Sequence, residues 1–170
     1  DNSYDLFKKN FELVIQSTED PLTKLTNRRG FYEKVLPLLD LASRKANGVG
    51  IIVIDIDYFK KINDKFGHQE GDKVIVQIAD IIKSSVRKYD IVCRFGGEEF
   101  IIFVITETAE ELRALAERIR LKIRELVKTP DKIEVTASFG ATFANVRAVS
   151  IKFLNELISD ADNKLYTAKN

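Results

Sequence analysis

Apolar residues recur along this chain with two periods. Tyr4, Phe7, Phe11 and Val14 are spaced 3, 4 and 3 apart with charged residues between them, the stripe of a short amphipathic helix. Two heptads are too few to define a coiled coil, so residues 1–19 read as a linker or stalk helix, or as a helix docked on the domain that follows. Asp20-Pro21 ends it, and Thr26-Asn27 caps a second helix through Phe31, Val35, Leu38, Leu39 and Leu41, disturbed at Pro37. The period then changes. Residues 49–55 form an unbroken, largely β-branched run, which predicts a central strand buried on both faces. Ile75, Ile78, Ala79, Ile82 and Val86 mark a third helix, and strands at 90–95 and 98–105 flank the Gly96-Gly97 turn of a hairpin. Leu112, Leu115, Ile119, Ile123 and Leu126 define a long helix whose opposite, Arg/Lys/Glu-rich face reads as solvated. Strands near 132–140 and 141–147 and a last helix containing Phe153, Leu154, Leu157, Ile158, Ala161 and Leu165 complete the order. The expected fold is α+β, a mixed five-stranded central sheet flanked by helices.

Two acidic strand ends carry the candidate chemistry. Asp55 closes the apolar run 49–55, where an isolated charge is costly unless it finds a partner or a cation. Glu98 and Glu99 leave the hairpin turn on opposite faces of the outgoing strand. Oxygen-only ligands from Asp55 and Glu98 suit a hard ion that keeps part of its water shell and is completed by phosphate oxygens, Mg²⁺ rather than zinc. Such an ion stabilises charge on a phosphate and lowers the pKa of an attacking hydroxyl.

Five ordered blocks then give a resemblance: DPLTKLTNRRGF at 20–31, DIDYFKKINDKFGHQEGD at 55–72, RKYDIVCRFGGEEF at 87–100, VTASFGAT at 135–142 and DADNKLYTAK at 160–169. Over nearly its whole length the chain resembles the GGDEF family of diguanylate cyclases. That resemblance implies a sheet related to the palm of nucleotidyl cyclases and polymerases, and a domain spanning 20–170. It implies a nucleotidyltransferase that condenses two GTP into cyclic di-GMP and two pyrophosphates, working as a homodimer because each chain carries one nucleotide site. By the same resemblance Asp55, the Ile56 carbonyl and Glu98 hold metal, two Mg²⁺ per GTP site with Mn²⁺ as a substitute, and Glu99 supports a metal or the 3′-hydroxyl. Arg94 steadies transition-state charge, Asn63 and Asp72 read guanine, and Phe59, Lys60 and Lys169 meet the phosphates. Arg87 and Asp90 match an inhibitory product site.

Each of these positions also has a plain structural reading. Asp72 could be a helix N-terminal acid, Asn63 a turn former, Lys169 a helix C-terminal cation, and Arg87 with Asp90 a surface pair of little energy. His68, the sole histidine, reads as a hydrogen-bonding residue of its turn. Two departures from the family pattern bear on nucleotide binding. Lys24 stands where the pattern has glycine, and the pattern continues past Ala168-Lys169 into a Gly-Arg-Asn segment, so the resemblance implies a truncated C-terminal end lacking one phosphate-binding arginine. The alternative function is a catalytically silent module that binds GTP or cyclic di-GMP and signals by contact.

Composition narrows the setting. A formal charge of +1 is too balanced for a nucleic-acid groove, so no nucleic-acid partner is expected. One cysteine, Cys93, in an apolar strand builds neither a disulfide framework nor a zinc cluster and reads as a small core residue. With no apolar run near a membrane span, the domain is expected in the cytoplasm, free or as the cytoplasmic part of an anchored protein, under the control of an upstream sensor or receiver domain.

Overall fold

The computed structural model describes residues 2–169, with side chains described except at 15, 16 and 166–169. The first helix, α1 (Asn2–Thr18), ends where Ser17 and Thr18 turn their hydroxyls back onto the Val14 carbonyl, each at 2.9 Å. Its apolar stripe is not docked: Tyr4, Phe7, Phe11 and Val14 are 57–68% exposed. Helix α2 (Arg28–Arg44) starts at Asn27, whose side chain accepts from the Gly30 amide at 2.9 Å and donates to the Ser17 carbonyl at 3.0 Å. The cap therefore ties the two helices together. Pro37 lies within α2 without ending it.

Strands β1 (Gly48–Ile56), β2 (Ile91–Arg94), β3 (Glu99–Thr106) and β4 (Ala137–Asn145) form one sheet in the order β2-β3-β1-β4. Every pairing between them is antiparallel, and an isolated parallel bridge joins Thr26 to Cys93 at the β2 side. Side-chain alternation along β1 divides the core. Ile52, Ile54 and Ile56 pack with Ile75, Ile78 and Ile82 of α4 (His68–Ser85) and Ile119 and Ile123 of α5 (Ala109–Leu126). Val49, Ile51 and Val53 pack on the other face with Phe31, Val35 and Leu39 of α2 and Leu154, Leu157 and Ala161 of α6 (Ile151–Lys169). At roughly 1.5–3 kcal/mol for each fully buried aliphatic side chain, this two-sided burial fixes β1, and with it the position of Asp55.

The structure corrects the sequence expectation on the sheet: it has four strands among the described residues, and their pairing is antiparallel rather than mixed. Gly140 looks like a break between two strands, yet it lies inside the continuous strand β4. Its lack of a side chain serves packing, because a Cβ there would stand 2.0 Å from the Ala161 carbonyl oxygen of α6. Residues 128–134 contribute an isolated Lys128–Glu134 bridge and no strand. A second correction is α3 (Phe59–Phe66), a short helix inside what reads as a polar stretch, burying Phe59 and Ile62.

Candidate active site

The end of β1 meets the hairpin tip through the backbone. Asp55 stands opposite Glu99 on one side and Ser138 on the other, and the Ile56 amide donates to the Glu98 carbonyl at 3.2 Å. The tip closes on itself, with the Phe95 amide on the Glu99 carbonyl at 2.8 Å. Arg94 braces it from below. Its Nε and Nη2 donate to the Gly97 carbonyl at 3.0 and 2.8 Å, while Nη1 reaches both oxygens of Asp20 at 3.3 Å. Asp20 in turn accepts from the Thr23 amide and hydroxyl, each at 2.8 Å. Burial pushes the Asp20 carboxyl up, but the Thr23 donors and the Arg94 guanidinium outweigh it and hold it below the usual range. Lys24 completes this turn at φ 64°, a left-handed conformation that favours glycine.

Glu98 is exposed and Glu99 is half-buried. Burial raises the Glu99 pKa, and the charges of Asp162 and Asp55 raise it further, with Arg28 opposing them. Among the described residues no group of three or more ligand side chains converges tightly enough to hold a metal by itself. The donors present here are carboxylates and backbone carbonyls. Such a set fits a hard divalent cation that takes its remaining ligands from water and phosphate, and does not fit zinc.

Beside this edge, α3 packs against α4. Asp57 is anchored by the hydroxyls of Thr136 at 2.8 Å and Ser138 at 2.6 Å, and Tyr58 follows in a left-handed conformation, φ 56°, as the cap of α3. This sharp entry places Phe59 and Lys60 in the first turn of α3, Phe59 buried and Lys60 exposed. Gly67, at φ 91°, joins α3 to α4. Asn63 Oδ1 is buried without a hydrogen-bond partner, an expensive state for a polar atom. A Cβ on Gly71 would stand 1.8 Å from that oxygen, so only glycine lets α4 approach the Asn63 side chain this closely. Asp72 is exposed on the next residue of α4, as is His68 at the helix start. The Lys169 side chain lies outside the described residues.

A separate cavity of about 230 Å³ lies at the other end of β3, lined by residues including Arg87, Asp90, Thr106, Glu111 and Arg118. Asp90 is buried and accepts from the Arg87 amide at 2.8 Å, so it holds the loop rather than forming a surface ion pair. Burial raises its pKa against the opposing pull of Arg87. Arg118, which belongs to the face of α5 expected to be simply solvated, turns toward this cavity and donates to the Ser85 carbonyl at 3.0 Å. Its placement depends on α5 crossing the sheet and has no local sequence signal.

A family model described as "Diguanylate cyclase, GGDEF domain" matches residues 17–170. The chain belongs to the GGDEF family. It is 36% identical to Diguanylate cyclase A of Treponema denticola over 165 residues, which cover 94% of this chain and 44% of that protein. It is 39% identical to the probable diguanylate cyclase DgcT of Escherichia coli, covering 88% of this chain and 33% of that one. The coiled coil and GGDEF domain of DgcB from Caulobacter crescentus, solved in complex with c-di-GMP, superposes with a TM-score of 0.87 at 26% identity, covering 99% of this chain and 88% of that one. The chain thus spans less than half the length of these two curated relatives. In this GGDEF domain, no described helix is long and apolar enough to cross a membrane.

Proposed function

We propose that this GGDEF domain condenses two GTP into cyclic di-GMP and two pyrophosphates, as a homodimer with one GTP on each chain. The observation that carries the reading is the juxtaposition at one sheet edge: Asp55 opposite Glu99, with the Ile56 amide bonded to the Glu98 carbonyl, and on the adjoining α3 a buried Asn63 oxygen without a partner. Each bond-forming step joins a 3′-oxygen to the partner nucleotide's α-phosphorus, breaks the bond to the β-phosphate oxygen, and releases a proton and pyrophosphate. Asp55, the Ile56 carbonyl and Glu98 would hold divalent cations, Mg²⁺ or its substitute Mn²⁺, two for each GTP. When bound, those ions neutralise charge gathering at the α-phosphate.

The chain's own residues do the rest. Glu99, whose half-buried setting raises its proton affinity, is suited to receive the 3′-hydroxyl proton. Asn63 and Asp72 present an amide and a carboxylate to the edge of guanine, and the first turn of α3 at Phe59 and Lys60 receives the β- and γ-phosphates, with Lys169 as a further cation. Arg94, committed to Gly97 and Asp20, supports the reaction by fixing the tip. Arg87 and Asp90, with Arg118, form the product site through which cyclic di-GMP inhibits the enzyme. Residues 1–19 act as a stalk, whose exposed apolar stripe brings two domains 20–170 together under an upstream sensor or receiver domain.

Base choice tests the roles of Asn63 and Asp72. A site built to hydrogen-bond a base is penalised when its buried polar groups stay unpaired, so GTP should outcompete ATP clearly in a binding competition with Mg²⁺. Equal affinities would remove Asn63 and Asp72 from the base site.

A further inference from the structure

The product cavity contains a carboxylate that no part of the reaction uses. Glu111 lies in the first turn of α5, where Thr108 caps the helix by accepting from the Glu111 amide at 3.1 Å. A Thr-x-x-Glu pattern of this kind ordinarily turns the glutamate back onto the amide of the cap residue. Here the carboxylate is drawn into the cavity wall. Glu111 Oε2 accepts from the nearly buried Thr106 hydroxyl at 2.7 Å and stands 3.9 Å from Arg87 Nη2. Thr106, at the last position of β3, is thereby a fixed post that holds a negative charge against the guanidinium assigned to the ligand.

We propose that Glu111 is an intramolecular competitor for Arg87 and sets the affinity of product feedback. The inference rests on the reading of Arg87 as a product-binding residue. A guanine accepts from an arginine at O6 and N7, so a guanidinium turned toward Glu111 must leave that carboxylate before it can bond the base. Cyclic di-GMP also carries two phosphate charges, which Glu111 repels. The two effects differ in one respect: competition requires Arg87, whereas repulsion does not.

Calorimetric titration of the whole chain with cyclic di-GMP, in a cycle of wild type, E111Q, R87A and E111Q/R87A, separates them. Glutamine keeps the size of the side chain and can still accept from Thr106, so the fold is preserved; far-UV circular dichroism checks this. E111Q should tighten binding by about two- to fivefold, the strength an exposed ion pair of this geometry can hold. In the R87A background the same substitution should change affinity by a clearly smaller factor. Equal tightening in both backgrounds would leave only charge repulsion and overturn the proposal. Weaker or unchanged binding by E111Q with Arg87 present would also overturn it, and weaker binding would identify Glu111 as a ligand of the product. If R87A binds cyclic di-GMP as wild type does, the product-site reading itself fails and the proposal falls with it, an outcome the single variant R87A distinguishes.

Discussion

The two ends of β3 use the same residue types in opposite electrostatic settings. At its start, Glu99 lies opposite Asp55, and burial, reinforced by the negative charges of Asp162, Asp55 and Glu98, raises the Glu99 pKa. At its end, the carboxylates of Asp90 and Glu111 share a cavity with Arg87 and Arg118. An edge where carboxylates cluster favours cations, whereas interleaved arginines and carboxylates offer donors and acceptors to a polar base. The strand is eight residues long, about 25 Å at a strand's rise, so the ends cannot share a ligand. What the chain requires of each end therefore differs, and so do the ways to break it.

The largest effect is expected at the acidic end. Glu98→Ala should lower cyclic di-GMP formation by about 10³-fold, the several kcal/mol that a bound metal supplies to a phosphoryl transition state. The far-UV spectrum should stay unchanged, because Glu98 is exposed and fills no core volume. Turnover near the wild-type rate would exclude Glu98 as a metal ligand. At the other end, Arg87→Ala should leave the cation edge intact and weaken cyclic di-GMP binding by about 1–3 kcal/mol if a bidentate guanine contact is lost. Unchanged affinity would reduce Arg87 to the partner of Glu111.

Smaller effects concern the brace between Asp20 and the hairpin tip. Asp20→Ala should cost about 1–3 kcal/mol in denaturant unfolding, since it leaves the Thr23 amide and Arg94 without their acceptor. The sign of its pH dependence follows from the depressed Asp20 pKa. Stability from the folded-state carboxylate is present above the unfolded value of about 3.9 and is lost as pH falls through the lower folded value. The gap between wild type and variant should hold from neutral pH to about 5 and close below about 4. A gap independent of pH would remove the ionic part of the brace.

Smallest of all, Lys24→Gly should stabilise by up to about 1 kcal/mol, relieving a left-handed residue at φ 64° but adding unfolded-state entropy. A thermal melt showing destabilisation would mean that the Lys24 side chain contributes more than its backbone strain costs.

The acidic end was legible in the sequence because its signals are local. A glycine pair specifies the hairpin turn, and an unbroken β-branched run specifies the central strand, so Asp55, Glu98 and Glu99 fall at strand ends without knowledge of the tertiary fold. The arginine-rich end was legible only in part. Arg87 and Asp90 are close in sequence, and the β2–β3 hairpin brings Thr106 near them, but Glu111 and Arg118 reach them only when α5 folds back on the sheet. The expected fifth strand came from dividing 132–147 into two strands, whereas Ala137–Asn145 is one strand in which α6 requires the missing side chain of Gly140. α3 was overlooked because eight residues hold too few apolar positions for its period to stand out, although Phe59, Ile62 and Phe66 are spaced 3 and 4 apart. Arg94 could be expected at the site, and its bond to Gly97 is local, but its bond to Asp20 spans 74 positions of the chain.

The most direct test of the account is to incubate the purified chain with GTP and Mg²⁺ over a wide range of protein concentrations and to identify the products by mass. Two half-sites from separate chains should give cyclic di-GMP and pyrophosphate, with activity per chain rising as concentration rises. A product other than cyclic di-GMP, or constant activity per chain from a species shown to be monomeric by sedimentation, would contradict it.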